Sequence, residues 1–590
     1  MTVSILKAEL GGTIIDCLIY GLYLTLVIRS VQVLYAKEVH NRGSIYLYIT
    51  SIILFCLITA HLALDVDRAS RAFTENTGIP YFAEQQFNTV TSIEVLAKNA
   101  TCAAVALIGD LFLIYRCFSA FGRKYSIIII PFLIFIGNIA TAILSALMSK
   151  HADTPSRVAE VISRVRYMYI CTLALNLYCT ISIAIRIWLV QRKSAGIGGS
   201  GNFVLMNAIT IIVESAAIYS TFTIILIASA FYQSSLMYAI LNPMPSIIGA
   251  VFSLIIVRVG SGRSTEKQSS LEFRRSRDRT TRTTMNTANL VGSILPTITD
   301  TVLFSKKTPN RSSIYLEITS IALFCLITAH LGLDIDRAFR AFTENTGAPD
   351  FAEQYFLTLT GSEVLAKNAA YATITLIADL FLTYRCFAAF GRNYFAIVVP
   401  SLLFIGNLVT ATLAAVAFKQ AHDGPGVAEV ISRIKFMYIC TLALNLWCTV
   451  SIAIKIWLVQ RNTVGMDGPG SHVLGNTITI IVESAAVYSV FTIILIASAF
   501  YQSSLMYAIL NPMPSIIGVV FSLIIVRVGS GKSMEKQSAL EFRRSRNHTS
   551  RTTMNTSNFM GSILPTATNS VHVQLSGPAN VPDGRDINNK

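Results

Sequence analysis

The stretch Ser92-Ile-Glu94-Val-Leu-Ala-Lys98-Asn-Ala-Thr-Cys102-Ala-Ala-Val-Ala-Leu-Ile-Gly-Asp110-Leu-Phe-Leu-Ile-Tyr115-Arg116-Cys117-Phe118 decides the fold. At about 1.5 Å per residue, a helix of this length crosses a hydrocarbon core of about 30 Å. Its apolar residues do not alternate, which excludes a barrel strand, and a helix is the other way to satisfy a backbone in lipid. Glu94, Lys98, Asp110 and Arg116 interrupt the run. A charge at bilayer depth costs about 3 kcal/mol or more, so such residues mark pairing or functional sites.

Windows of similar character recur at 45–64, 125–148 and 203–231. The whole chain is 53% hydrophobic and 13% charged, against about 25% charged in a soluble domain. An all-α membrane protein follows. The formal net charge of +15 lies in loops and tails, where membrane orientation and anionic lipid headgroups account for it; nucleic-acid binding is not expected. All ten cysteines fall in or beside apolar spans, so no loop-tying disulfide is expected. Cys117 and Cys386 are candidate acylation sites.

Half of the chain is a copy of the other half. Glu94 returns as Glu363, an offset of 363 − 94 = 269, and His61/His330, Asp110/Asp379 and Glu214/Glu483 keep it. The match runs without a gap from about 45/314 to 296/565. The first copy reads as seven spans (10–34, 45–66, 92–118, 125–149, 165–191, 203–231 and 235–259), the second as six, lacking its first. The expected organisation is a seven-span bundle (1–259), a basic disordered linker (260–310), a six-span bundle (311–528) and a disordered tail (529–590). Six spans keep both bundles in one orientation. Basic residues such as Arg123, Lys124, Arg192, Lys193, Arg258 and Arg274 place the N-terminus outside and the C-terminus in the cytoplasm, with the plasma membrane as the expected location. Lys150, Arg157, Arg164 and Arg166 depart from that pattern. Ser276 and Ser545, after Arg-Arg pairs, are candidate phosphorylation sites.

Counting along helices sorts the buried polar residues by depth. Asp110 lies about 9 Å from Arg116, and Arg186 about 8 Å from Gln191, so an Asp110–Arg186 pair is expected, with Asp379–Lys455 as its counterpart. The alternative is that hydroxyls or water satisfy Asp110 while Arg186 snorkels. Glu214, Asn138 and Asn176 fall on a second level about 18–23 Å deep, with Asn407, Asn445 and Glu483 matching them. They form either a polar site around Glu214 or a set of interhelical hydrogen bonds. At the outer end, His61 and Asp65 stand at i, i+4, as do Glu94 and Lys98; His330, Asp334, Glu363 and Lys367 repeat them. These residues and the loop 68–91 form the expected ligand mouth. One His with scattered carboxylates has no recognised metal spacing, so neither metal nor cofactor is expected. Asn242-Pro243-Met-Pro245 predicts a kink in the last span.

Asp110-Leu-Phe-Leu-Ile-Tyr115-Arg116-Cys117-Phe118, Pro245-Ser-Ile-Ile-Gly249 and Leu254-Ile-Ile-Val-Arg258-Val resemble a family of uncharacterised seven-helix membrane proteins from mushroom-forming (basidiomycete) fungi, here in tandem. The resemblance implies topology and a fungal membrane setting, and carries no activity. Tyr115-Arg116-Cys117 stands where rhodopsin-like receptors end helix three with Asp/Glu-Arg-Tyr, so G-protein coupling is not expected. No nucleophile–base–orienter set is present, so no enzyme is expected. The reading is a receptor-like sensor of a small-molecule ligand. The alternatives are a transporter or channel lined by Glu214 and Asp110, or two neighbouring genes joined in one predicted chain.

Overall fold

The computed structural model describes residues 4–35, 42–89, 91–151, 154–194, 201–258, 311–358, 361–391, 393–420, 424–463, 470–501, 503–523 and 525. Ser276, Ser545 and the segments expected to be linker and tail lie outside the described residues. Among the described residues every regular element is helical. In the first half these are α1 (Ile5–Tyr35), α2 (Arg42–Thr74), α3 (Phe82–Asn88), α4 (Ile93–Ala120), α5 (Ile129–Ser149), α6 (Pro155–Ser194), α7 (Gly201–Phe231), α8 (Leu236–Leu241) and α9 (244–258). The second half has α10 (Arg311–Thr343), α11 (Phe351–Leu357), α12 (Ser362–Ala389), α13 (Val398–Gln420), α14 (Gly424–Thr463), α15 (Gly470–Phe500), α16 (Leu505–Leu510) and α17 (513–523).

Twelve spans among the described residues are long and apolar enough to cross a membrane. In α15 the qualifying part, Ala485–Phe500, is shorter. On α5, Ile129, Leu133, Ile136, Ile143 and Leu147 stand 49% to 63% exposed along one face. Water would penalise such a stripe, whereas lipid accepts it.

The chain divides into two compact units, Met1–Asn310 with Leu331–Val364, and Arg311–His330 with Leu365–Lys590. Within the first, α1 packs on α2 and α8, α2 on α4, α4 on α5 and α6, and α6 on α7. Its core centres on Tyr23, Leu54, Ile58, Val105, Tyr169, Leu226 and Met244. The core of the second unit holds Leu323, Ile374, Tyr438, Leu495 and Met513.

Local chemistry sets the ends of α4. The Ser92 hydroxyl accepts from Val95 N at 3.3 Å, with Glu94 in the first turn complementing the helix dipole. Past the other end, Gly122 and Arg123 take positive φ, which turns the chain toward α5. Two helix bounds differ from expectation. α2 continues to Thr74, eight residues beyond 66, and Asp67 and Arg71 pair at i, i+4 at 3.1 Å along the added turns. α6 begins at Pro155, with proline in its first turn. Arg157, Arg164 and Arg166 are therefore helical, and Arg166 donates to Ala230 O at 3.0 Å and stacks on Phe231.

Candidate functional site

Eight buried polar residues meet at one end of the first bundle. α1 supplies Glu9 and Asp16, two turns apart on one stripe. α2 supplies His61, Asp65 and Arg68 at i, i+4 and i+7, α4 supplies Lys98, and α9 supplies Ser246. Asn242 sits where Pro243 breaks the last span between α8 and α9. None of the eight is more than 6% exposed.

Ion pairs and hydrogen bonds link most of them. Lys98 Nζ contacts Asp65 Oδ1, donates to Asn242 Oδ1 at 2.9 Å and lies 3.9 Å from Glu9 Oε2. Arg68 Nη1 donates to Glu9 Oε1 at 3.3 Å, and its Nη2 to Phe87 O at 3.1 Å. Asn242 Nδ2 donates to Glu9 Oε2 at 3.0 Å, and Ser246 Oγ to Asp16 Oδ1 at 2.5 Å. Three carboxylates thus face two cations, one negative charge in excess with His61 counted neutral. Burying that excess is costly unless something positive joins it. Asp16 Oδ2, His61 Nδ1 and Asp65 Oδ2 are buried without a hydrogen-bond partner, and one ligand atom from each residue falls within 4.8 Å of the others.

The structure brings His61, Asp65 and Lys98 together, as their outer-end grouping implied, and leaves Glu94 out. Glu94 instead accepts from Arg71 at 2.7 Å on the exposed side. Arg68 belongs to the stretch 68–91 assigned to the mouth, Asn242 to the expected kink, and Glu9, Asp16 and Ser246 join the cluster without a sequence-based expectation. In the second half, Lys367 Nζ donates to Asn511 Oδ1 at 2.8 Å, repeating the Lys98–Asn242 bond. Glu363 pairs with Arg340 at 2.6 Å, His330 is buried, and Asp334 is half-buried and partnered.

A second polar layer surrounds Asp110. Its Oδ2 accepts from Asn138 Nδ2 at 2.6 Å and from Thr172 Oγ1 at 3.0 Å, and Asn138 Nδ2 also reaches Thr172 Oγ1 at 2.8 Å. Asp379, Asn407 and Thr441 repeat the triad at 2.5, 3.0 and 2.8 Å. The Asp110–Arg186 pairing is thereby corrected. The Asp110–Thr172 bond spans 62 positions, and the buried Cys117 and Cys179 meet in the same register. That register sets Arg186 level with residue 124, past the end of α4, where it lies over the Phe121 ring. Lys455 likewise lies over Phe390, away from Asp379.

The level assigned to Glu214 is also corrected. Glu214 is exposed and pairs with Arg258 at 2.8 Å, while Asn176 donates to Ser220 and Asn445 to Ser489, both at 2.9 Å. Glu483 is exposed and partnered. These are interhelical bonds, the second of the two readings. A cavity of about 40 Å³ adjoins Asp110, lined by Arg116, Asn176, Ser215 and Tyr219. It has room for a few waters, far short of the several hundred Å³ a drug-sized ligand needs. Cys117 and Cys386 are fully buried, which removes them as acylation sites, and all ten cysteines are free thiols.

Helices long and apolar enough to span, with lipid-compatible faces and buried polar layers, define an all-α, multi-pass integral membrane protein. No family model matches the chain, and neither do any curated proteins or solved structures. Its chemistry is therefore argued from its own side chains.

Proposed function

We propose that the protein is a receptor-like membrane sensor, with the Lys98–Asp65 cluster at its extracellular end and the basic Ser/Thr-rich segments 260–310 and 529–590 in the cytoplasm. One observation carries this reading: between the charged cluster and the Asp110 triad, α4 presents Val105 and Ala106, at most 2% exposed and packed in one hydrophobic cluster with Tyr23, Ile58 and Ile248. A conduit needs polar groups in continuous file, whereas a sensor needs only packed contacts joining its two ends. The cluster also ties the ends of α1, α2 and α4 to the break before α9, so a change of charge there bears on four helices together.

In proteoliposomes the full chain is expected to carry no H+, Na+ or K+ flux above that of empty vesicles. Saturable flux that Asp110→Asn abolishes would overturn sensing in favour of transport. An epitope placed before residue 4 should be reached by antibody on intact cells, and one after residue 590 only after permeabilisation. The reverse pattern would overturn the orientation.

A further inference from the structure

We infer that Asp16, His61 and Asp65 hold a divalent transition-metal ion of the zinc class. Each carboxylate has one oxygen held by a neighbour and one unpartnered. Ser246 Oγ donates to Asp16 Oδ1, and Lys98 Nζ holds Asp65 Oδ1. The second oxygens, Asp16 Oδ2 and Asp65 Oδ2, are buried and, like His61 Nδ1, have no hydrogen-bond partner; His61 Nδ1 lies 3.7 Å from Asp16 Oδ2. Two carboxylates and an imidazole form a donor set for a borderline ion. Calcium and magnesium prefer oxygen alone, whereas imidazole nitrogen in the set favours zinc, copper, iron or nickel.

Ligand atoms about 2.1 Å from a tetrahedral ion stand about 3.4 Å apart. One ligand atom from each of the three residues already lies within 4.8 Å of the other two, so side-chain movements of about 1 Å close the site. An ion there would set positive charge against the two unpartnered carboxylate oxygens, with Ser246 and Lys98 remaining as the outer partners that orient the ligands. Only the first half can build this site. The repeat begins at about 45/314, so α1 with Glu9 and Asp16 has no counterpart in the second half. The expected stoichiometry is one ion per chain. The inference rests on this geometry alone and stands whether the chain senses or conducts.

The test uses the full chain in nanodiscs, stripped with EDTA and titrated with Co2+ and then Zn2+. One Co2+ per chain should bind at micromolar affinity or tighter, giving visible d–d bands without sulfur charge-transfer intensity, and Zn2+ should displace it. Asp16→Asn and His61→Gln should each weaken binding about 100-fold or more, while Asp334→Asn leaves it unchanged. Monodisperse elution of at least one of the two site variants shows that the loss is not unfolding. If neither elutes so, a rise in the wild-type thermal midpoint with Zn2+, at one ion per chain and unchanged by Asp334→Asn, supports the site. Wild-type uptake well below one ion, or uptake that survives both site substitutions, would overturn the proposal. Neutralisation by a proton or Na+ alone would appear as the first of these results.

Discussion

Asn138→Ala is the sharpest probe of what Asp110 does. Asn138 Nδ2 bonds to both Asp110 Oδ2 and Thr172 Oγ1, at 2.6 and 2.8 Å, and all three residues are at most 1% exposed. An interhelical hydrogen bond in a bilayer contributes about 0.6 kcal/mol on average and about 1.7 at most. A bond to a charged partner is worth about 1.5–3 kcal/mol. Two bonds lost together, with the carboxylate left to Thr172 alone, should cost about 2–3 kcal/mol. Thr172→Val keeps the shape, removes one donor to the same oxygen, and should cost about 1 kcal/mol. Because both donors share Asp110 Oδ2, the double variant should deviate from additivity by about 0.5 kcal/mol or more. Arg186→Gln combined with Asp110→Asn should be additive within about 0.5 kcal/mol. Unfolding in mixed micelles of rising detergent strength, followed with a thiol-reactive dye, reads these values, since Cys102, Cys117 and Cys179 are buried until the bundle opens. Coupling above about 1 kcal/mol between Asp110 and Arg186, or none between Asn138 and Thr172, would refute the register on which the triad rests.

Lys98→Met strands Asp65 and Glu9 without their shared cation, and should destabilise the first bundle by about 3–5 kcal/mol in the same assay; a neutral result would contradict the charge count. Gly249→Ala brings a methyl within 2.5 Å of Ile58 Cδ1 and 2.7 Å of Tyr23 Cε2, and should cost about 1–3 kcal/mol. Gly137→Ala on α5 meets nothing within 4 Å and should leave stability unchanged or raise it by up to about 1 kcal/mol, as thermal midpoints will show. Acyl-exchange labelling should find no lipid on Cys117 or Cys386.

Particular residues show where the sequence was legible. Spans were visible because 20-residue apolar runs have few other uses. His61, Asp65 and Lys98 were recognisable because each interrupts such a run. Asp16 was hidden inside a first span read as apolar from 10 to 34, although Glu9, Thr13 and Asp16 share one stripe and gave the available signal. A second span ending at 66 leaves Arg68 as a loop charge and conceals its i+7 relation to His61. The Asp110–Arg186 pairing takes Arg116 and Gln191 to stand flush at the membrane edge. α6 is 40 residues long and runs past the end of α4, so the two are not level. Both Thr172 and Arg186 face α4, and it is Thr172 that stands level with Asp110 while Arg186 reaches Phe121 at the helix end.

That length carries α6 beyond α4. Arg186 lies over Phe121 at the α4 terminus, and the helix runs 8 residues further to Ser194, a projection of about 12 Å. Its tip stands about 33 Å along the axis from Thr172, so a charge carried there is separated from the Asp110 triad by several Debye lengths.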